Sequence, residues 1–100
     1  MTASDLSFIG ELEAIIRARM SAPTKSSYTA KLAASGTKRI AQKVGEEGVE
    51  LALAAVSGDR DEIIDEAADL LYHMTVLLTE RDVSLHEVAV RLEERHSGRQ

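Results

Sequence analysis

The sequence predicts an all-α fold: a small bundle of four main helices built around a central antiparallel pair. Three observations predict it. Of the 100 residues, 44% are hydrophobic but only 3% aromatic, and a core of Ala, Leu, Val and Ile suits helices better than packed sheets. Pro23 is the single proline, so long stretches run without a helix breaker. Apolar residues recur at three- and four-residue spacing over most of the chain. A chain of this length is expected to form one domain over residues 1–100.

The elements follow in order. Ser4 or Asp5 is placed to cap a first helix over about 5–20, in which Leu6, Ile9, Leu12, Ile15 and Ile16 recur at helical spacing. The segment 21–36, SAPTKSSYTAKLAASG, is rich in Ser, Thr and small residues. It reads as a connection with one helical turn near 29–34, and long connections are often functional. A second helix is expected over about 37–56, with Thr37 as its N-cap. Ser57-Gly58-Asp59 stops it, and Gly58 suits the left-handed position after a helix end. Asp59 caps a third helix over about 60–80. Ser84, with Glu87 three residues on, makes a capping box at the start of a fourth helix over about 85–94. The tail, 97–100, is expected to fray.

Charge and composition exclude several classes. A net charge of −5 argues against a general nucleic-acid binder, which needs a basic face to meet phosphates. No apolar run approaches the ~18 residues of a membrane span. The N-terminus has no basic region ahead of an apolar segment, so no secretory signal is expected. Without cysteine there is no disulfide, thiolate metal site or cysteine nucleophile. The expectation is a cytoplasmic protein with neither a nucleic-acid nor a membrane partner. A chain this small buries its apolar surface poorly, which favours self-association.

The second and third helices carry the informative residues. On a helical wheel Ile40, Val44, Leu51 and Ala54 form an apolar face, and Glu47 falls inside it. Glu50 lies on its border, with Lys43 between them. A carboxylate in an apolar stripe is costly unless something positive meets it. Val49, Leu53 and Val56 form a second apolar face, which a second subunit would cover. On the third helix Ile63, Ala67, Leu70, Leu71, Met74, Leu77 and Leu78 fill the core arc. Glu62, Glu66, Asp69 and His73 make a polar stripe along its edge. The tight turn at Gly58 makes the two helices antiparallel neighbours. Glu50 and Glu66 are each eight residues from Gly58, and Glu47 and Asp69 each eleven. The pairs therefore sit at matching depths, roughly 12 and 16 Å from the turn at 1.5 Å per residue.

Four carboxylates meeting from facing helices repel one another. A hard divalent cation relieves this, and all-oxygen ligation favours Mg²⁺, with Mn²⁺ as a substitute. Glu47, Glu50, Glu66 and Asp69 are the expected ligands. Mg²⁺ commonly bridges carboxylates to substrate phosphates, so basic residues should stand nearby. Arg39 and Lys43 precede Glu47 by two turns and one turn, and Lys38 is close in sequence but points elsewhere. Gly45 and Gly48 interrupt the helix amid the carboxylates, a pattern that permits close packing or ligand approach. Glu46 falls outside the stripe, solvated or supporting the ligands. His73 reads as a hydrogen-bonded border residue or, alternatively, an acid/base or phosphate donor. Tyr28 reads as a packing anchor or as part of a loop closing over a ligand.

These residues resemble a known pattern. Gly45-Glu46-Glu47-Gly48-Val49-Glu50 followed by Glu66-Ala-Ala-Asp69 resembles the EExxE…ExxD signature of the all-α nucleoside triphosphate pyrophosphohydrolases, the MazG-like superfamily. The strings SYTAKL, GTKRIAQKVGEEGVELALAA and DEAADLLYHMTVLL are similar to the phosphoribosyl-ATP pyrophosphatase family, over roughly residues 5–96. That resemblance implies Mg²⁺-dependent hydrolysis of 1-(5-phosphoribosyl)-ATP to 1-(5-phosphoribosyl)-AMP and pyrophosphate, the second step of histidine biosynthesis. It implies a homodimer or larger assembly and, with no cyclohydrolase portion in view, the stand-alone form. By superfamily analogy Glu47, Glu50, Glu66 and Asp69 bind the metal. Glu46, Glu47 and Glu50 are the catalytic candidates, with Glu46 or Glu50 as the base. Lys38, Arg39, Lys43, Tyr28 and His73 are the substrate-binding candidates. Many MazG-like enzymes carry Asn where this chain has Val76, which argues against a broad nucleotidase. The rival readings are a MazG-like dNTP hydrolase and an acidic helical dimerisation module without activity.

Overall fold

The computed structural model describes residues 6–97. Five α-helices follow one another, with no strand among the described residues. They are α1 (Ser7–Met20), α2 (Tyr28–Ala34), α3 (Thr37–Ser57), α4 (Arg60–Glu80) and α5 (Leu85–Ser97), with a short 3-10 turn at Thr24–Ser26. The α3–α4 pair shares by far the most extensive contact, and α1 and α2 lie against α4.

The central turn forms as its residues dictate. Gly58 sits at φ 85°, where a side chain would be strained, and its N–H bonds the Ala54 carbonyl at 3.0 Å. The Asp59 carboxylate accepts from the N–H groups of Asp61 and Glu62 and starts α4. Ser84 and Glu87 exchange backbone-to-side-chain bonds of 2.9 and 3.1 Å, the reciprocal pair expected at the start of α5.

Four boundaries differ from the sequence reading. The single helical turn expected near 29–34 is a seven-residue helix: Ser27 accepts from the Ala30 N–H and caps α2, so the bundle has five α-helices instead of four main ones. Thr37 is not the cap of α3. Gly36, at φ 94°, holds that position, and the Thr37 hydroxyl instead donates to both carboxylate oxygens of Glu80 at 2.8 Å. Ser97, expected in the frayed tail, ends α5, whose last turns carry an Arg91–Glu94 ion pair at 3.5 Å. α1 begins with Leu6 at its cap and no side-chain bond there. The expected caps Ser4 and Asp5 lie outside the described residues, as do residues 98–100.

The core also lies on a different side of α4 from the one periodicity suggests. Ile16, Leu32, Ile40 and Val76 form the buried cluster, joined by Leu12, Met20, Tyr72 and Leu77. His73, Thr75 and Val76 are buried, whereas Leu70, Leu71, Met74, Leu77 and Leu78 are only half-buried and Ala67 is exposed. The reason is the docking of α1 and α2, which cover the Val76 side of the helix. The leucine arc is left partly open. On α3, Val49, Leu53 and Val56 are exposed, as is Ile64 on α4, so the second apolar face has no cover among the described residues.

Candidate metal centre

The α3–α4 turn places the acidic residues as their equal distance from Gly58 requires. One carboxylate oxygen each from Glu47, Glu66 and Asp69 lies within 4.8 Å of the others. Glu47 is buried, only 7% exposed, although it carries a carboxylate. Glu50 meets Glu66 but is not part of that close triad. Glu47 Oε1 and Glu66 Oε1 are buried and have no hydrogen-bond partner among the described residues. Buried carboxylate oxygens without donors are expensive, and their natural complement is a cation.

The electrostatics agree. The Glu66 carboxyl is held above its ordinary range, first by desolvation, then by the charge of Glu50 and a hydrogen bond with it, then by Glu47 and Asp69. Two carboxyls can share a hydrogen bond only if one keeps a proton. Among the described residues no lysine or arginine forms an ion pair with Glu47, Glu50, Glu66 or Asp69. Lys43 turns to Glu46, at 3.9 Å, and Gln42 donates to the other Glu46 oxygen at 3.0 Å. Glu46 is exposed and stands apart from the triad, as its wheel position implies. Lys38 and Arg39 are exposed near the start of α3, and neither forms an ion pair among the described residues. The donor set, carboxylate oxygens alone, fits a hard cation such as Mg²⁺ or Mn²⁺.

His73 lies beside the cluster, one turn beyond Asp69. Its Nδ1 is 2.9 Å from the Asp69 carbonyl and 4.0 Å from Glu47 Oε2, and its Nε2 is 3.0 Å from the Tyr28 hydroxyl. Tyr72 packs edge-on against the imidazole, with ring centres 5.0 Å apart, and its hydroxyl bonds Thr29. Tyr72 and Thr29 had no role in the sequence reading. Only the docking of α2 makes them neighbours of His73, and no local pattern signals that. Gly45 and Gly48 do not serve close packing inside the chain, since a Cβ at either would meet nothing within 4 Å. A concavity of about 540 Å³, lined in part by Arg17, Met20, Thr79 and Glu80, lies toward the far end of α4 and includes none of the clustered carboxylates. Of these carboxylates, Glu50 and Asp69 are exposed, Glu66 is half-buried and Glu47 is buried.

Fold and site together define a class: an all-α protein whose central helix pair presents a carboxylate cluster suited to a divalent cation. The chain belongs to the phosphoribosyl-ATP pyrophosphohydrolase family, whose model matches residues 9–96. It is similar to the "Histidine biosynthesis bifunctional protein HisIE" of Yersinia pestis, 61% identical over 94% of this chain and 46% of that protein. The proteins of the same name from Campylobacter jejuni and Pasteurella multocida are each 57% identical. They align over 95% and 96% of this chain and 46% and 48% of their own lengths. The chain thus spans just under half the length of these curated relatives.

Proposed function

We propose that this chain hydrolyses 1-(5-phosphoribosyl)-ATP between its α- and β-phosphates, giving 1-(5-phosphoribosyl)-AMP and pyrophosphate, as a step of histidine biosynthesis. The observation that carries the reading is the buried oxygens of Glu47 and Glu66, on the facing helices α3 and α4, that have no donor among the described residues, in a chain of this family. In this reading Glu47, Glu50, Glu66 and Asp69 hold Mg²⁺, or Mn²⁺ in its place. The ion would offset phosphate charge and lower the pKa of an attacking water. Water adds across the anhydride as one P–O bond forms and another breaks. A carboxylate takes the proton, with Glu46, Glu47 and Glu50 as the catalytic candidates and Glu46 or Glu50 as the acceptor.

Lys38, Arg39 and Lys43 would meet the remaining phosphate charge and stabilise the departing pyrophosphate. Tyr28, half-exposed beside His73, is the substrate-facing member of that pair. The uncovered face of Val49, Leu53, Val56 and Ile64 supports a homodimer, because an apolar face of this kind marks an interaction surface. No helix among the described residues is long and apolar enough to cross a membrane. A cytoplasmic location would fit the proposed biosynthetic role.

The test is pyrophosphate release from phosphoribosyl-ATP, with and without Mg²⁺, beside a panel of dNTPs. Release that needs Mg²⁺ and prefers phosphoribosyl-ATP is expected. Faster release from dNTPs favours the broad-nucleotidase alternative. No release from any of them, with no change in melting temperature on adding Mg²⁺, refutes the enzyme reading.

A further inference from the structure

We propose that His73 is a positioning residue: its imidazole, held in one tautomer between the Asp69 carbonyl and the Tyr28 hydroxyl, sets Glu47 and the Asp69 backbone in place for cation binding. The proposal rests on reading the carboxylate cluster as a divalent-cation site.

The hydrogen bonds fix the tautomer. A carbonyl oxygen only accepts, so the 2.9 Å contact with Asp69 requires the proton on Nδ1. Nε2 of the neutral ring is then an acceptor, and the Tyr28 hydroxyl, 3.0 Å away, donates to it. Both ring nitrogens are thereby engaged. The ring is 7% exposed and flanked edge-on by Tyr72 at 5.0 Å and Tyr28 at 6.0 Å between centres, which resists turning it over. This is a residue built to hold still.

What it holds is the cluster. The protonated edge lies 4.0 Å from Glu47 Oε2, too long for a hydrogen bond but close enough to present its positive end to the carboxylate. Glu47 Oε1, by contrast, is buried without a hydrogen-bond partner among the described residues. Glu47 therefore has one oxygen facing a fixed dipole and one left for an ion. The same N–H ties down the backbone of Asp69, a second member of the triad. Groups that orient metal-binding side chains in this way commonly matter nearly as much as the ligands. The arrangement also explains why α2 docks where it does. Its consecutive residues Tyr28 and Thr29 bond the consecutive residues His73 and Tyr72, so α2 locks the ring from behind.

The experiment is Mn²⁺ binding, followed by electron paramagnetic resonance, to the wild-type chain and to H73N, H73Q and Y28F, with each fold checked by circular dichroism. The Asn amide nitrogen can stand where Nδ1 stands, whereas that of Gln reaches toward Nε2. H73N should therefore stay near wild-type affinity, and H73Q should bind about 10- to 100-fold more weakly. Y28F keeps the ring but loses the hydroxyl that holds Nε2, and should weaken binding by a smaller factor. Wild-type affinity in H73Q overturns the proposal, and so does an equal loss in H73N and H73Q, which marks a merely structural histidine. If H73Q does not fold, Y28F decides: weakened binding supports the role and unchanged affinity refutes it. A wild-type chain that binds no Mn²⁺ sinks the metal reading itself, and this proposal with it.

Discussion

Glu66 shows what crowding does to a single residue. Its carboxyl titrates above the ordinary range because desolvation and then Glu50, Glu47 and Asp69 all disfavour its charge. The folded cation-free chain consequently holds more proton at this site than the unfolded chain does. Stability must then fall as pH rises from the ordinary Glu range through the raised pKa, and the penalty is fully present above it. A cation binds the deprotonated form, so Mn²⁺ affinity should climb over the same interval. Glu66→Gln should raise the melting temperature of the cation-free chain at neutral pH and flatten its acid-to-neutral slope. The same change should remove most of the shift that Mn²⁺ produces, and melts across pH with and without Mn²⁺ check both. Glu47→Ala or Asp69→Ala should cut Mg²⁺-dependent turnover by more than the ~100-fold typical of residues that merely support ligands, with the fold retained. Full activity in both variants would remove the metal assignment.

At the scale of the element, two junctions carry the geometry. The α3–α4 turn relies on Gly58 at φ 85° and on the Asp59 cap. Gly58→Ala and Asp59→Ala should each cost about 1 kcal/mol, read from denaturant midpoints. The α5 junction relies on the Ser84–Glu87 box. The Glu87 carboxyl is held below its ordinary range, first by the backbone N–H of Ser84 and then by its hydroxyl. A depressed carboxyl contributes stability above its unfolded pKa and loses it as pH falls through the folded value. Apart from the 2.8 Å bond from the Leu85 N–H to Glu13, α5 makes few contacts with the other helices. Ser84→Ala should therefore speed amide exchange in α5 while leaving α3 and α4 protected.

The element scale also shows where sequence reasoning reaches and where it stops. Glu47 with Asp69, and Glu50 with Glu66, could be matched in depth from residue counts, because helical rise is fixed and a two-residue turn allows one arrangement. The burial of Glu47 was legible from its place inside the apolar face of α3. The side of α4 that would be covered was not. Its leucine arc has the stronger apolar signal, yet α1 and α2 settle on the side bearing His73 and Val76. That choice follows from the hydroxyl bonds of Tyr28 and Thr29 and from the fit of Ile16 and Leu32, none of which periodicity encodes.

For the whole molecule, the question is what meets the remaining apolar surface. Val49, Leu53 and Ile64 are 60%, 65% and 51% exposed, and Val56 is 86% exposed. They offer apolar surface that a second copy, as proposed, would bury. Leu53→Asp with Val56→Asp should shift the chain to a monomer in sedimentation velocity and lower its melting temperature. A wild-type chain already monomeric at high concentration would refute the dimer. If the carboxylate cluster takes the proposed cation, binding should add to stability by mass action, about 2.7 kcal/mol at a hundredfold excess over Kd, read as a rise in melting temperature.

The sequence by itself determined the four long helices, the central turn and the depth at which the carboxylates meet. These follow from local rules: helical spacing, capping residues, and a glycine that tolerates the left-handed region. Only the tertiary structure decided that 21–36 carries a docked helix and that α4 buries its histidine side ahead of its leucine side. It also decided that both nitrogens of His73 are taken. Those outcomes depend on which surfaces fit one another in space, and spacing along the chain does not contain that fit.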